Sequence, residues 1–184
     1  MGPELPATAV LLALLVWAAC EDLRTRRIPN WLTVGLAAAG LGLSFSPWTP
    51  LTPWMALAGV GVGLSLPLVL FLLGALGGGD VKLLAAVGAW LGPRWVLGVF
   101  AGAAVIGLIL VLVQCALRGR LRQLLANVWL LISSLLYVGQ LGTQQVRQMG
   151  QSARSVDKPL PYAVPVLLAT AMALLAPHWA GRFW

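Results

Sequence analysis

The stretch WMALAGVGVGLSLPLVLFLLGAL, residues 54–76, decides what kind of fold this chain can have. It runs for 23 residues without a charged side chain, and a bilayer core about 30 Å thick asks for roughly 20 helical residues of this kind. Apolar runs recur at Leu5–Cys20, Trp31–Phe45, Val81–Leu91, Trp95–Leu117 and Leu160–Ala176, which leaves no room for a separate soluble domain. The 184 residues are 60% hydrophobic and 9% charged, against about 25% charged in soluble domains. An ordinary cytosolic protein and a disordered chain are both excluded. The expected fold class is all-α: a polytopic membrane helix bundle, with residues 1–184 as one membrane-embedded domain.

Six spans are expected, at about 5–20, 31–45, 54–76, 81–91, 95–117 and 160–176. The weakest is Val81–Leu91, which at about 1.5 Å per residue reaches only about half the core before Gly92-Pro93 breaks the helix. A re-entrant course is the alternative there. Leu5–Cys20 follows Glu4 and precedes Arg24, Arg26 and Arg27, the order of an uncleaved anchor with its N-terminus outside. Short cytoplasmic loops collect Lys and Arg. Six spans put Arg24, Arg26, Arg27, Lys82, Arg118, Arg120, Arg122, Arg147, Arg154 and Lys158 on the inner side, ten of the twelve basic residues. Counting Leu121–Leu141 as a seventh span weakens the split to eight against four. Its polar residues Arg122, Gln123, Asn127, Ser133, Ser134 and Gln140 recur along one stripe, as a helix lying in the interface requires. Residues 118–158 are therefore read as a cytoplasmic loop carrying an interfacial helix.

The net charge of +7 records orientation on such a chain and not a nucleic-acid partner. Cys20 and Cys115 lie far apart with no CxxC, and His178 is the only histidine, so neither a metal site nor a disulfide framework is supported. There is no HExxH helix and no GxSxG elbow. Gly59, Gly61 and Gly63, and Gly98 with Gly102, place small residues at spacings that let helix backbones approach closely. Pro67 reads as a kink within its span.

Of five acids, Glu4 and Asp157 are most simply solvated, which leaves Glu21, Asp22 and Asp80. Asp22 ends the first span and Asp80, after Gly77-Gly78-Gly79, opens the fourth, so both fall at the same depth on the cytoplasmic side. Two readings stand for each. Asp22 can be a boundary charge paired with Arg24 or Arg26, and Asp80 an N-cap. Alternatively, both are functional, as ionisable groups at membrane depth tend to be.

The local sequences resemble a known family. Glu21-Asp22-Leu23-Arg24-Thr25-Arg26-Arg27-Ile28-Pro29-Asn30 and Gly77-Gly78-Gly79-Asp80-Val81-Lys82 are similar to the two signatures of the type IV prepilin peptidases, an Asp followed by a basic stretch and Ile-Pro-Asn, and a GxGD followed two residues on by Lys. Lys158-Pro159-Leu160-Pro161-Tyr162-Ala163 looks like the Pro-rich approach to that family's last span. The resemblance implies an aspartic endopeptidase of the bacterial inner membrane that removes the leader of type IV prepilins or pseudopilins after a Gly, at the cytoplasmic face. It implies Asp22 and Asp80 as the catalytic pair, no cofactor, and the prepilin and the lipid bilayer as partners.

Gly77, Gly78, Gly79, Lys82, Pro29 and Asn30 are expected to support the site or bind substrate. The glycines would let the backbone turn sharply and an extended substrate approach Asp80. Lys82 can orient an aspartate, attract an acidic substrate residue, or snorkel to lipid headgroups. Larger members carry a cytoplasmic insertion with two CxxC pairs and also N-methylate the product. This sequence has neither, and resembles the short peptidases of tight-adherence (Flp-type) pili, so cleavage without methylation is expected. The rival readings are a non-enzymatic scaffold or transport subunit and another GxGD protease of presenilin type. Charge-free span centres disfavour a transport subunit, and the Asp…Ile-Pro-Asn segment differs from the presenilin motif. The sequence carries no marker of oligomeric state.

Overall fold

The computed structural model describes residues 5–47, 49, 51–72, 76–119 and 161–175. Every regular element among them is helical: α1 (Leu5–Thr25), α2 (Asn30–Leu43), α3 (Pro53–Leu72), α4 (Gly78–Leu117) and α5 (Ala163–Leu175). By length and composition α3 and α4 can cross a membrane, while α2 and α5 are shorter apolar helices. Large apolar side chains stand exposed on every helix, among them Val16, Val34, Val69, Val105 and Met172, as lipid-facing surfaces require. The expected interfacial helix at 121–141, and Glu4, Asp157 and His178, lie outside the described residues.

α4 is one element only in name. Gly92 has φ +78° and ψ 177°, a conformation essentially confined to glycine, and Pro93 follows it. Leu84 and Phe100 line the same small crevice together with Gly63 and Pro67 of α3. In an unbroken helix these two residues would be about 24 Å apart, so the chain folds back at Gly92. A first limb (residues 78–91) and a second limb (residues 93–117) result. This is the break expected at Gly92-Pro93, and the two limbs correspond to the apolar runs 81–91 and 95–117. Pro67, by contrast, sits inside α3 without ending it.

The first limb, the shortest of the expected spans, is the centre of the bundle. Val81 and every residue from Leu83 to Gly92 are buried. A helix surrounded by other helices need not match the bilayer thickness, because the lipid does not touch it. Its small residues make the packing possible. A Cβ on Gly59 would overlap the Gly88 carbonyl, one on Gly88 would overlap the Gly59 carbonyl, and one on Gly63 would stand 2.5 Å from the Leu84 oxygen. The α3 stripe is thus a backbone contact, as its spacing suggested, although Gly61 faces open space. Of the second pair, Gly102 would meet Ala169 of α5 at 3.3 Å and Gly98 meets nothing. On the α2 side, the Trp90 indole lies over Gly40 and donates to the Leu36 carbonyl oxygen at 2.8 Å.

These contacts give the bundle two ends. Leu51 and the start of α3 lie at the Gly92 end. The end of α1 and the starts of α2, α4 and α5 gather at the other.

Candidate active site

Asp22 lies in the last full turn of α1. The helix stops where Arg26, at φ +54°, donates its backbone N–H to the Asp22 carbonyl at 2.9 Å; this is the left-handed position that usually takes glycine. The Thr25 hydroxyl lies 2.9 Å from the carbonyl oxygens of both Glu21 and Arg27, shares its one hydrogen between them, and tightens the corner. Pro29, extended at φ −61° and ψ 136°, then launches α2 at Asn30. Only three residues separate α1 from Pro29, so the position of Asp22 and the position of Asn30 are linked by a stiff connection.

The Asp22 side chain is 5% exposed, and its Oδ2 accepts the Ala163 N–H at 3.1 Å. Ala163 is the first residue of α5, whose initial N–H groups have no partner within the helix. Asp22 therefore caps α5 across 141 positions of sequence, with its negative charge at the positive end of the helix dipole. Arg26 is close enough to act on that charge.

Asp80 is the third residue of α4, and its Oδ2 reaches back to accept the Gly77 N–H at 3.1 Å. Asp80 is thus not the N-cap expected from the sequence: Gly77 holds that position, and the carboxylate at the third position caps the residue before the helix. Among the described residues only Gly92 and Gly119 are glycines at positive φ, so the turn at 77–79 does not use glycine's backbone freedom. It uses the missing side chains. A Cβ on Gly77 would stand 2.8 Å from Asp80 Oδ2, and one on Gly79 would press on Ile28 at 3.4 Å. Gly77 leaves space for the carboxylate, and Gly79 lets Ile28 settle against the start of α4.

The two signature segments meet. Besides Ile28 over Gly79, Lys82 Nζ donates to Asn30 Oδ1 at 2.8 Å, a partner that none of the three readings of Lys82 named. The charge of Asp22 acts on Asp80, and that of Asp80 acts on Tyr162. Side chains from the end of α1, the start of α4 and the approach to α5 thus share one electrostatic neighbourhood. Tyr162 was not singled out from sequence. The only signal was its place in the Pro-rich segment, and nothing local indicates that this segment returns to Asp80. No group of three or more His, Cys, Asp or Glu able to hold a metal occurs among the described residues.

The type IV leader peptidase family matches residues 9–112. The chain belongs to that family. Both segments that meet at the site fall within this type IV leader peptidase match, whereas Tyr162 and Ala163 lie beyond it. The chain is also similar to a prepilin leader peptidase/N-methyltransferase of Klebsiella pneumoniae, at 42% identity over 100 residues, which cover 50% of this chain and 44% of that protein. It therefore spans less than half the length of the curated relative. No solved structure matches.

Proposed function

We propose that this leader peptidase family member is an aspartic endopeptidase in which Asp22 and Asp80 together remove the leader of a type IV prepilin or pseudopilin. The observation that carries the reading is the gathering of the two carboxyls at one end of the bundle, each accepting a backbone N–H at the start of a helix, with the charge of Asp22 acting on Asp80. Two carboxylates serving only as caps would gain nothing from proximity, since like charges repel. A scaffold or transport subunit has no use for that arrangement.

The chemistry follows from sharing one proton between two acids. The ionised aspartate takes a proton from a water as that water attacks the scissile carbonyl carbon; the protonated one donates to the carbonyl oxygen. The tetrahedral diol then collapses. The nitrogen receives a proton, the C–N bond breaks, and the leader leaves with a new carboxylate. The pair lies where aqueous phase and apolar core meet, which suits a substrate with a basic leader followed by an apolar helix.

The reading includes six spans over a single domain, an inner-membrane location, and a site facing the cytoplasm, supported by the ten basic residues assigned to that side. It also includes cleavage without N-methylation, as in the short Flp-type peptidases, supported by the lack of any CxxC pair in the sequence. Co-expression with candidate prepilins, read by mass at the mature N-terminus, tests the activity: the leader is expected to be lost after a Gly, leaving an unmethylated amine. An intact leader refutes the peptidase assignment, and an added methyl group refutes only the second part. For topology, Arg154→Cys in a Cys20→Ser background is expected to react with an impermeant thiol reagent only from the cytoplasmic side. Labelling from outside overturns the six-span arrangement.

A further inference from the structure

Asp22 and Asp80 are carried by helices that barely meet. α1 packs chiefly on α5, lightly on α2, and scarcely touches α4. Direct packing of α1 on α4 therefore cannot set the separation of the two carboxyls, and other elements must. One is α5, whose Ala163 N–H holds Asp22. The other is the start of α2, where Ile28 lies against Gly79 and Lys82 donates to Asn30.

We infer that Lys82 and Asn30 form a clasp that positions the two aspartates, with Lys82 acting through Asn30 and touching neither the reacting carboxyls nor the substrate. The inference rests on Asp22 and Asp80 being the working pair. Helix geometry supports it first: residues two apart on a helix lie about 200° apart around its axis, so Lys82 points away from the side that Asp80 occupies. The bond is also directional. An ammonium only donates, and the amide oxygen of Asn only accepts, so neither partner can be exchanged for an apolar residue of similar size without losing the link. Finally, the path from clasp to carboxyl is stiff. Asn30 follows Pro29 directly, and Arg26 and Thr25 lock the corner that ends α1, so a displacement at Asn30 is passed on to Asp22. Misplacement by about 1 Å can cost on the order of 100-fold in rate.

The test uses the full chain in proteoliposomes and a synthetic probe, a Lys-rich leader ending in Gly fused to an apolar helix. Lys82→Met and Asn30→Leu are each expected to lower kcat roughly 10- to 100-fold with KM unchanged. The double variant should be no slower than the slower single one, because both break the same link. Lys82→Arg and Asn30→Asp, which keep the donor and the acceptor, should retain most of the rate. Asn30→Leu is the decisive arm. It changes no charge, so a normal rate there, with Lys82→Met impaired, would assign Lys82 to substrate or lipid headgroups and overturn the clasp. Losses that multiply in the double variant, or that fall on KM, overturn it as well. If Asn30→Leu unfolds the protein, retained activity in Asn30→Asp and Lys82→Arg supports the clasp and its absence refutes it. Asp22→Asn and Asp80→Asn, run alongside, separate the two ideas: normal activity in either removes the aspartate pair itself. Inactivity in both, with Lys82→Met and Asn30→Leu at full rate, removes only the clasp.

Discussion

Asp22→Asn and Asp80→Asn are each expected to stop leader removal, with a rate loss of roughly 100- to 10,000-fold, while leaving the protein folded in the membrane. The choice of Asn follows from the double duty of each carboxylate. Asp22 Oδ2 accepts the Ala163 N–H and Asp80 Oδ2 accepts the Gly77 N–H. An amide oxygen makes either bond, and Asn caps a helix about as well as Asp, so helix starts and packing survive. What Asn cannot do is take up or release the proton that the reaction moves. Ala at either position would remove the cap too, at a cost of about 0.5–2 kcal/mol, and would confuse loss of chemistry with loss of structure. The readout is the gel shift of a co-expressed prepilin, with the thermal midpoint of the purified variants as the control. Normal processing by either Asn variant would sink the aspartic mechanism.

How much of this was legible in the sequence depends on the distance over which each interaction acts. The described helices, the break at Gly92-Pro93 and the placing of Asp22 and Asp80 at one end of the bundle follow from local composition, and all were readable. So was the packing role of Gly59 and Gly63, because their spacing places them on one helix face. Its length made Val81–Leu91 the weakest span, and nothing local showed that this limb is enclosed by other helices. The contacts that organise the site were not readable. Asp22 to Ala163 and Lys82 to Asn30 join residues 141 and 52 positions apart, and no period or motif spacing encodes such pairings. The three glycines before Asp80 show a further limit: their presence was informative, but whether they served a turn or made room for neighbouring side chains needed coordinates.

The largest effect on stability is expected at Gly59 and Gly88, where two backbones meet with nothing between them. A methyl group on either would overlap the other's carbonyl oxygen, and a carbonyl within a helix cannot rotate aside as a flexible side chain can. Gly59→Ala or Gly88→Ala must therefore push α3 away from the first limb of α4, and overpacking of this kind costs about 1–3 kcal/mol. Gly61→Ala is the matched control: the same chemical change on the same helix, facing open space, where it should be neutral or slightly stabilising. The double variant Gly59→Ala/Gly88→Ala should cost less than the sum of the singles, because once the helices have separated the second methyl meets a gap already opened. Thermal unfolding in detergent, followed by fluorescence of the tryptophans, measures all four. Cleavage should fall with stability, since the first limb carries Asp80 at its start and Trp90, bonded to Leu36 of α2, near its end; moving it disturbs the site and the α2 contact together. Equal midpoints for Gly59→Ala, Gly88→Ala and Gly61→Ala would mean that α3 and the first limb do not approach this closely, and the central place of that limb in the bundle would have to be abandoned.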